Sequence, residues 1–99
     1  MSLRSVWTPE AMVAYDDIMN YLHREWGERV ADAFVEDVSH TINLLEIFPN
    51  MGVVEVAEYG IRSIPVAKQV RLFYRADGST LFVLEFIDTR TERFQRIRS

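Results

Sequence analysis

Residues 70–90 hold two runs rich in β-branched and aromatic side chains, joined at Asp77-Gly78. An Asp-Gly pair between such runs is a strong short-range signal for a β-hairpin, because glycine supplies the positive φ that a two-residue turn requires. Alternation along the two strands then sorts the side chains. Val70, Leu72, Tyr74, Leu81, Val83, Glu85 and Ile87 fall on one face, and Arg71, Phe73, Arg75, Phe82, Leu84, Phe86, Asp88 and Arg90 on the other. The parity is the same whether the turn is Asp77-Gly78 or Gly78-Ser79. Both faces are apolar and only the second carries arginines, so the first is expected to meet the protein's own helices and the second something else.

The helices that would cover the first face precede the hairpin. Leu3 to Trp7 predicts a short strand. Thr8-Pro9-Glu10 then marks a helix start, with Thr8 as N-cap, proline at the first helical position and an acid favoured by the helix dipole. A first helix is expected over 9–26, with Ala11, Tyr15, Ile18, Leu22 and Trp26 recurring at three- and four-residue spacing as its buried stripe. Gly27 is the expected C-cap. A second helix runs from Glu28 to about Phe48 on the stripe Val30, Phe34, Val38, Ile42 and Leu45, and Pro49 ends it. So short a connection makes the pair an antiparallel helical hairpin. Residues 49–59 have no clean period and read as a loop. Residues 60–66 read as a further strand, which Pro65 places at an edge or near its own end.

The element order is therefore βααβββ in a single domain spanning 1–99: an α+β fold in which a helical hairpin covers one face of a small antiparallel sheet. Ninety-nine residues suffice for one two-layer core. The apolar runs are too short to span a bilayer, no export leader is expected, and the absence of cysteine fits a reducing cytoplasm. The net charge of −4 conceals a division along the chain. Residues 1–60 hold three arginines against eleven acids, whereas residues 61–99 hold eight bases against four acids. A basic C-terminal half suits an acidic partner, and the acidic half argues against a protein that coats nucleic acid all round. Phe73, Phe82, Leu84 and Phe86 among arginines form the kind of apolar patch rimmed by charge that marks a protein contact surface, and with Arg75 they are the expected partner-binding residues.

This order, with Trp7-Thr8-Pro9-Glu10-Ala11 at the first helix, Pro49-Asn50-Met51-Gly52 after the second, Gly60-Ile61-Arg62 opening a strand, Arg71-Leu72-Phe73-Tyr74-Arg75 and Phe86-Ile87-Asp88-Thr89-Arg90, resembles the RelE/ParE superfamily over essentially the whole chain. These are bacterial toxins of type II toxin–antitoxin, or plasmid stabilisation, modules. The resemblance implies a cytoplasmic toxin held inactive by a cognate antitoxin whose C-terminal segment wraps it, and leaves room for a homodimer. It implies one of two targets. RelE-like members cleave mRNA on the ribosome with basic residues of the sheet and C-terminus; ParE-like members bind and poison DNA gyrase.

Carried over residue by residue, the nuclease pattern matches in part. Arg71 falls at a sheet arginine thought to steady the phosphate, Arg90 near a C-terminal arginine, and Arg62 at the first of two strand lysines. Ile64 stands at the second. Residues 91–99 contain no tyrosine or histidine to match the family's catalytic tyrosine. RNA cleavage needs a group that takes the 2′-hydroxyl proton, and arginine is a poor one because its pKa lies far above neutrality. The gyrase-binding reading is therefore preferred and an enzyme is not expected, with the ribosome-dependent endoribonuclease as the alternative. A non-toxic interaction domain of the same fold is a further alternative, since fold does not dictate function. His23 and His40 lack companion ligands, Asp16-Asp17 and Glu36-Asp37 splay around their helices, and no metal or cofactor is expected.

Overall fold

The structure is a computed structural model and describes residues 2–91, Phe94 and Arg96. The basic tail, 91–99, for which the sequence leaves a short helical turn and a frayed end both open, lies largely outside these residues. In chain order the elements are β1 (Arg4–Trp7), α1 (Pro9–Trp26), α2 (Glu28–Ile47), β2 (Val53–Val56), a 3-10 turn (Ala57–Tyr59), β3 (Ile61–Ala67), β4 (Val70–Asp77) and β5 (Thr80–Asp88). The α+β class and the helical hairpin on one sheet face agree with the sequence reading. The sheet is larger than expected, with five strands in the order β1-β5-β4-β3-β2, and it is mixed because β1 runs parallel to β5 while the other pairs are antiparallel.

One strand departs from expectation. β2 lies within the stretch read as a loop; its register slips between Val54 and Val56, so Glu55 is an extra residue and the apolar positions do not alternate. β3 meets the second of the two placements that Pro65 allows: it pairs with both β2 and β4 and so is no edge, and Pro65 sits near its end where the register slips again. No described helix is long and apolar enough to cross a membrane.

Local chemistry explains the helical hairpin. Thr8 is the N-cap of α1, its hydroxyl accepting from the Ala11 amide at 3.1 Å, and Pro9 opens the helix. Gly27, at φ 93°, donates its amide to the carbonyls of Leu22 and His23 and at once begins α2. From α2 Phe34, Val38, Ile42 and Leu45 reach the core, joined by Ala11 of α1 and by Leu72, Tyr74, Leu81 and Val83 of the sheet. The outer ends of both expected stripes are exposed: Trp26 and Val30 flank the tight turn at Gly27.

The hairpin pairs Asp77 with Thr80 across Gly78-Ser79, with Gly78 at φ 62°. Leu72, Tyr74, Leu81 and Val83 face the helices as expected. Beyond Val83 the parity reverses, because Phe73 pairs with Glu85 while Tyr74 pairs with Val83, leaving Leu84 as an extra residue. Phe86, expected on the open face, lies under the helices with its ring 5.2 Å from Trp7 and 5.6 Å from Tyr15. Glu85 and Ile87 take the opposite face. The physical reason is plain: strict alternation would put the Glu85 carboxylate into an apolar core and an aromatic ring outside it.

The loop after α2 is tied to the sheet by one phenol. The buried Tyr74 hydroxyl accepts from the Gly52 amide at 2.9 Å and donates to the Pro49 carbonyl at 2.7 Å. Burial raises its pKa, partly offset by the Gly52 bond and by Arg62. A Cβ on Gly52 would lie 2.6 Å from the phenol oxygen and 2.8 Å from the Ser63 carbonyl oxygen, so the Pro49-Asn50-Met51-Gly52 segment requires glycine there. Tyr74→Phe should therefore cost about 1–3 kcal/mol by stranding a buried donor and acceptor. Gly52→Ala should cost a similar ~1–3 kcal/mol through overpacking. Urea unfolding measures both, and a Tyr74→Phe protein as stable as the wild type would show that the loop draws its bonds elsewhere.

Candidate functional site

The sheet face turned away from the helices divides into two halves. Toward the β3–β4 turn it is closed: Phe73, Ile87, Glu85 and Ser63 are all buried. Phe73 therefore joins Phe86 in not being the exposed aromatic anchor that alternation predicts. Toward the β4–β5 turn the face is open. There Val6, Phe82, Arg75 and Ile61 are lateral neighbours on β1, β5, β4 and β3, forming a stripe across four strands. Val6 is exposed and the other three are half-buried. Of the expected partner-binding residues, Arg75 and Phe82 lie in this stripe, with the Arg75 guanidinium 2.8 Å from Asp77. Leu84 is the half-buried bulge residue. Val6 and Ile61 escape a reading of the sequence because their membership depends on which strands become neighbours.

The three arginines considered for nuclease chemistry are not brought together. Arg62 pairs with Tyr74 and so lies on the helix side of the sheet, donating to the carbonyls of Asn50 at 3.2 Å and Gly52 at 2.8 Å. Arg71 lies on the opposite face, where it donates to the Ser63 hydroxyl at 2.9 Å and the Ser63 carbonyl at 3.3 Å. That hydroxyl in turn donates to Glu55 at 2.5 Å. Arg90, just beyond β5, grips Asp88 through both carboxylate oxygens, at 3.0 Å and 2.6 Å. The three guanidiniums thus occupy three surfaces, each bonded to its own chain. Both histidines are exposed on helices, and the described residues contain no cluster of histidine and carboxylate side chains that would hold a metal.

Arg90 and Asp88 border a groove of about 810 Å³ between α1, α2, the β3–β4 turn and the end of β5. Ile18, Leu22, Phe34 and Val70 contribute apolar lining, and Tyr21, Trp26 and Val30 line it from exposed positions. The sequence reading places Trp26 and Val30 in the core. The warning signal is their position on either side of Gly27, at the tip of the helical hairpin.

Comparison with known proteins bears on this geometry. The model of the family described as the ParE toxin of the type II toxin–antitoxin system parDE matches residues 6–93. The chain belongs to the ParE toxin family. No curated protein sequence matches it. Among solved structures, the chromosomal ParDE system from P. aeruginosa shares 21% identity at a TM-score of 0.72, covering 88% of this chain and 96% of that one. A YoeB/ParE toxin from Agrobacterium tumefaciens shares 20% identity at a TM-score of 0.61, covering 87% and 98%. A heterotetrameric YoeB–YefM toxin–antitoxin complex from Staphylococcus aureus contains a chain 12% identical at a TM-score of 0.56, covering 86% and 94%. At these identities the ParE-family chain shares the fold of all three.

The Asp88–Arg90 clasp also gives a pH signature. The Arg90 hydrogen bond holds the Asp88 carboxyl below the ordinary aspartate value, against a smaller opposing effect of burial. A carboxyl whose pKa is depressed by folding contributes stability above its unfolded value and loses it as pH falls through the folded one. Carbon-detected NMR of Asp88 should show a titration midpoint below that of an aspartate in an unfolded peptide, and Arg90→Gln should return it toward that value. An unchanged midpoint in the variant would show that the clasp is not what lowers it.

Proposed function

We infer that this ParE-family toxin acts in the cytoplasm by binding DNA gyrase, without chemistry of its own, and that a cognate antitoxin neutralises it. The observation that favours this over RNA cleavage is the dispersal of Arg62, Arg71 and Arg90. Cleaving RNA through the 2′-hydroxyl calls for a base and a charge-stabilising group converging within about 3 Å of one reacting centre. Two of these arginines lie on opposite faces of the sheet, the third borders a groove, and none is a competent base at neutral pH. Membership of the ParE family supports the same reading.

Antitoxin binding is supported by the open stripe. Val6, Phe82 and Ile61 offer apolar surface in one row with the Arg75 guanidinium, which suits a segment alternating apolar and acidic residues. The Staphylococcus aureus YoeB–YefM assembly is a toxin–antitoxin complex built on the same fold. Phe82→Asp should weaken capture by the antitoxin encoded beside this chain far more than Glu36→Ala on the exposed face of α2, because central aromatic anchors dominate such interfaces. Equal loss from both would remove the stripe from the interface.

The target is tested by expression without antitoxin. A gyrase poison should induce the DNA-damage response and filamentation, and the purified protein should trap gyrase–DNA cleavage complexes while ribosome-bound mRNA stays intact. A ribosome-dependent nuclease should stop translation first, and Arg71→Ala or Arg90→Ala should then cut its activity by about 10²-fold, as for loss of one preorganised electrostatic donor. Ribosome-dependent mRNA cuts preceding any DNA damage, and abolished by those substitutions, would overturn the gyrase reading.

A further inference from the structure

The two edges of the sheet are treated differently. On β1, the outward amides of Leu3 and Ser5 are taken up by α2, at 2.7 Å by the Glu46 carbonyl and at 3.2 Å by the Glu46 carboxylate. That edge is sealed. β2 forms the other edge, and among the described residues no strand lies on its outer side. Edge strands are ordinarily guarded by lysine, proline or an outward charge. Val53-Val54-Glu55-Val56 has neither lysine nor proline, and its acid is turned inward to the Ser63 hydroxyl. The edge is also apolar: Val53 is 53% exposed and Val54 48%, and Phe48, Met51 and Tyr59 are exposed on the chain to either side.

We propose that the outer edge of β2 is a homodimer surface, on which a second copy adds its own β2 antiparallel about a two-fold axis through Val54. A two-fold contact must be self-complementary. In this register Val54 faces Val54 of the second copy, and Val53 faces the second copy's residue 55, a glutamate whose carboxylate is already engaged. No like charges oppose one another across the axis. The same register runs the Phe48 to Met51 segment of each copy beside the Ala57–Tyr59 turn of the other, so exposed Phe48 and Met51 meet exposed Tyr59 twice per dimer. Strand addition joins the outward backbone of β2 to that of the second copy, and the flanking side chains bury apolar surface. Only four residues of strand are involved, so the contact belongs near the lower limit of roughly 1,000 Å² for a specific interface, and the dimer should depend on concentration.

The lack of cysteine makes this register directly testable. On the axis, a Val54→Cys residue would meet its copy at a Cα separation of about 4.5–5.5 Å, within disulfide range. A Val53→Cys residue would sit two positions out of step with its copy, beyond that range. The wild-type mass in sedimentation should rise from 11.6 kDa toward twice that value with concentration. Oxidised Val54→Cys should become a covalent dimer at least about tenfold faster than Val53→Cys, as the geometry demands. Val54→Lys, which places like charges on the axis, should leave a folded monomer at every concentration. A wild-type protein that stays monomeric to several hundred micromolar overturns the proposal, as does equal cross-linking of the two cysteine variants. Protection of a monomeric wild type's β2 by the neighbouring antitoxin would also overturn it, assigning the edge to that chain instead.

Discussion

One hydroxyl group organises the meeting of helix and sheet. The bulge at Leu84 interrupts the ladder between β4 and β5, and the Leu84 carbonyl is taken up at 2.8 Å by the hydroxyl of Thr8, the group that also caps α1. The Thr8 amide meanwhile donates to the Val83 carbonyl at 3.0 Å. A polar group left over by an irregular strand is thereby satisfied by the first residue of a helix, which sets that helix over β5. Everything beyond the bulge depends on this junction: Phe86 enters the cluster with Trp7 and Tyr15, and Asp88 and Arg90 come to border the groove.

Most of the fold is legible without coordinates because its signals are local. Thr8-Pro9, Gly27, Pro49 and Asp77-Gly78 mark element ends through side-chain and backbone chemistry that acts within a few residues. What is not legible depends on pairing at a distance. β1 and β5 lie more than seventy residues apart, so nothing local to Val6 places it beside Phe82. β2 is hidden by its own bulge, which breaks alternation within four residues. The reversal after Val83 leaves one trace in the sequence: strict alternation sends Glu85 into the core, and a carboxylate assigned to such a face signals that the register changes before it.

The candidate site was the least legible part, and for a related reason. Arginines grouped in the C-terminal sequence suggest a common anion site, but strand geometry distributes them. Arg71 and Arg62 are nine residues apart in the chain and fall on opposite faces of neighbouring strands, while Arg90 closes on a carboxylate two residues away. What the sequence does carry through is the division of charge. Nine of the eleven acids of the first sixty residues ride on α1 and α2, whereas Arg62, Lys68, Arg71 and Arg75 lie on the sheet and its β3–β4 turn. The two layers of the domain therefore differ in electrostatic character, which orients the molecule toward a charged partner before contact.

Gly27 closes α1 and opens α2 with no residue to spare. With 3.6 residues to the turn, one residue inserted there would rotate the start of α2 by about 100° relative to α1. Phe34, Val38 and Ile42 would swing away from the sheet together, since they share one stripe. Where many helix–helix connections lengthen and shorten freely among relatives, this one counts as part of the core: its length is constrained as tightly as the identity of a buried side chain.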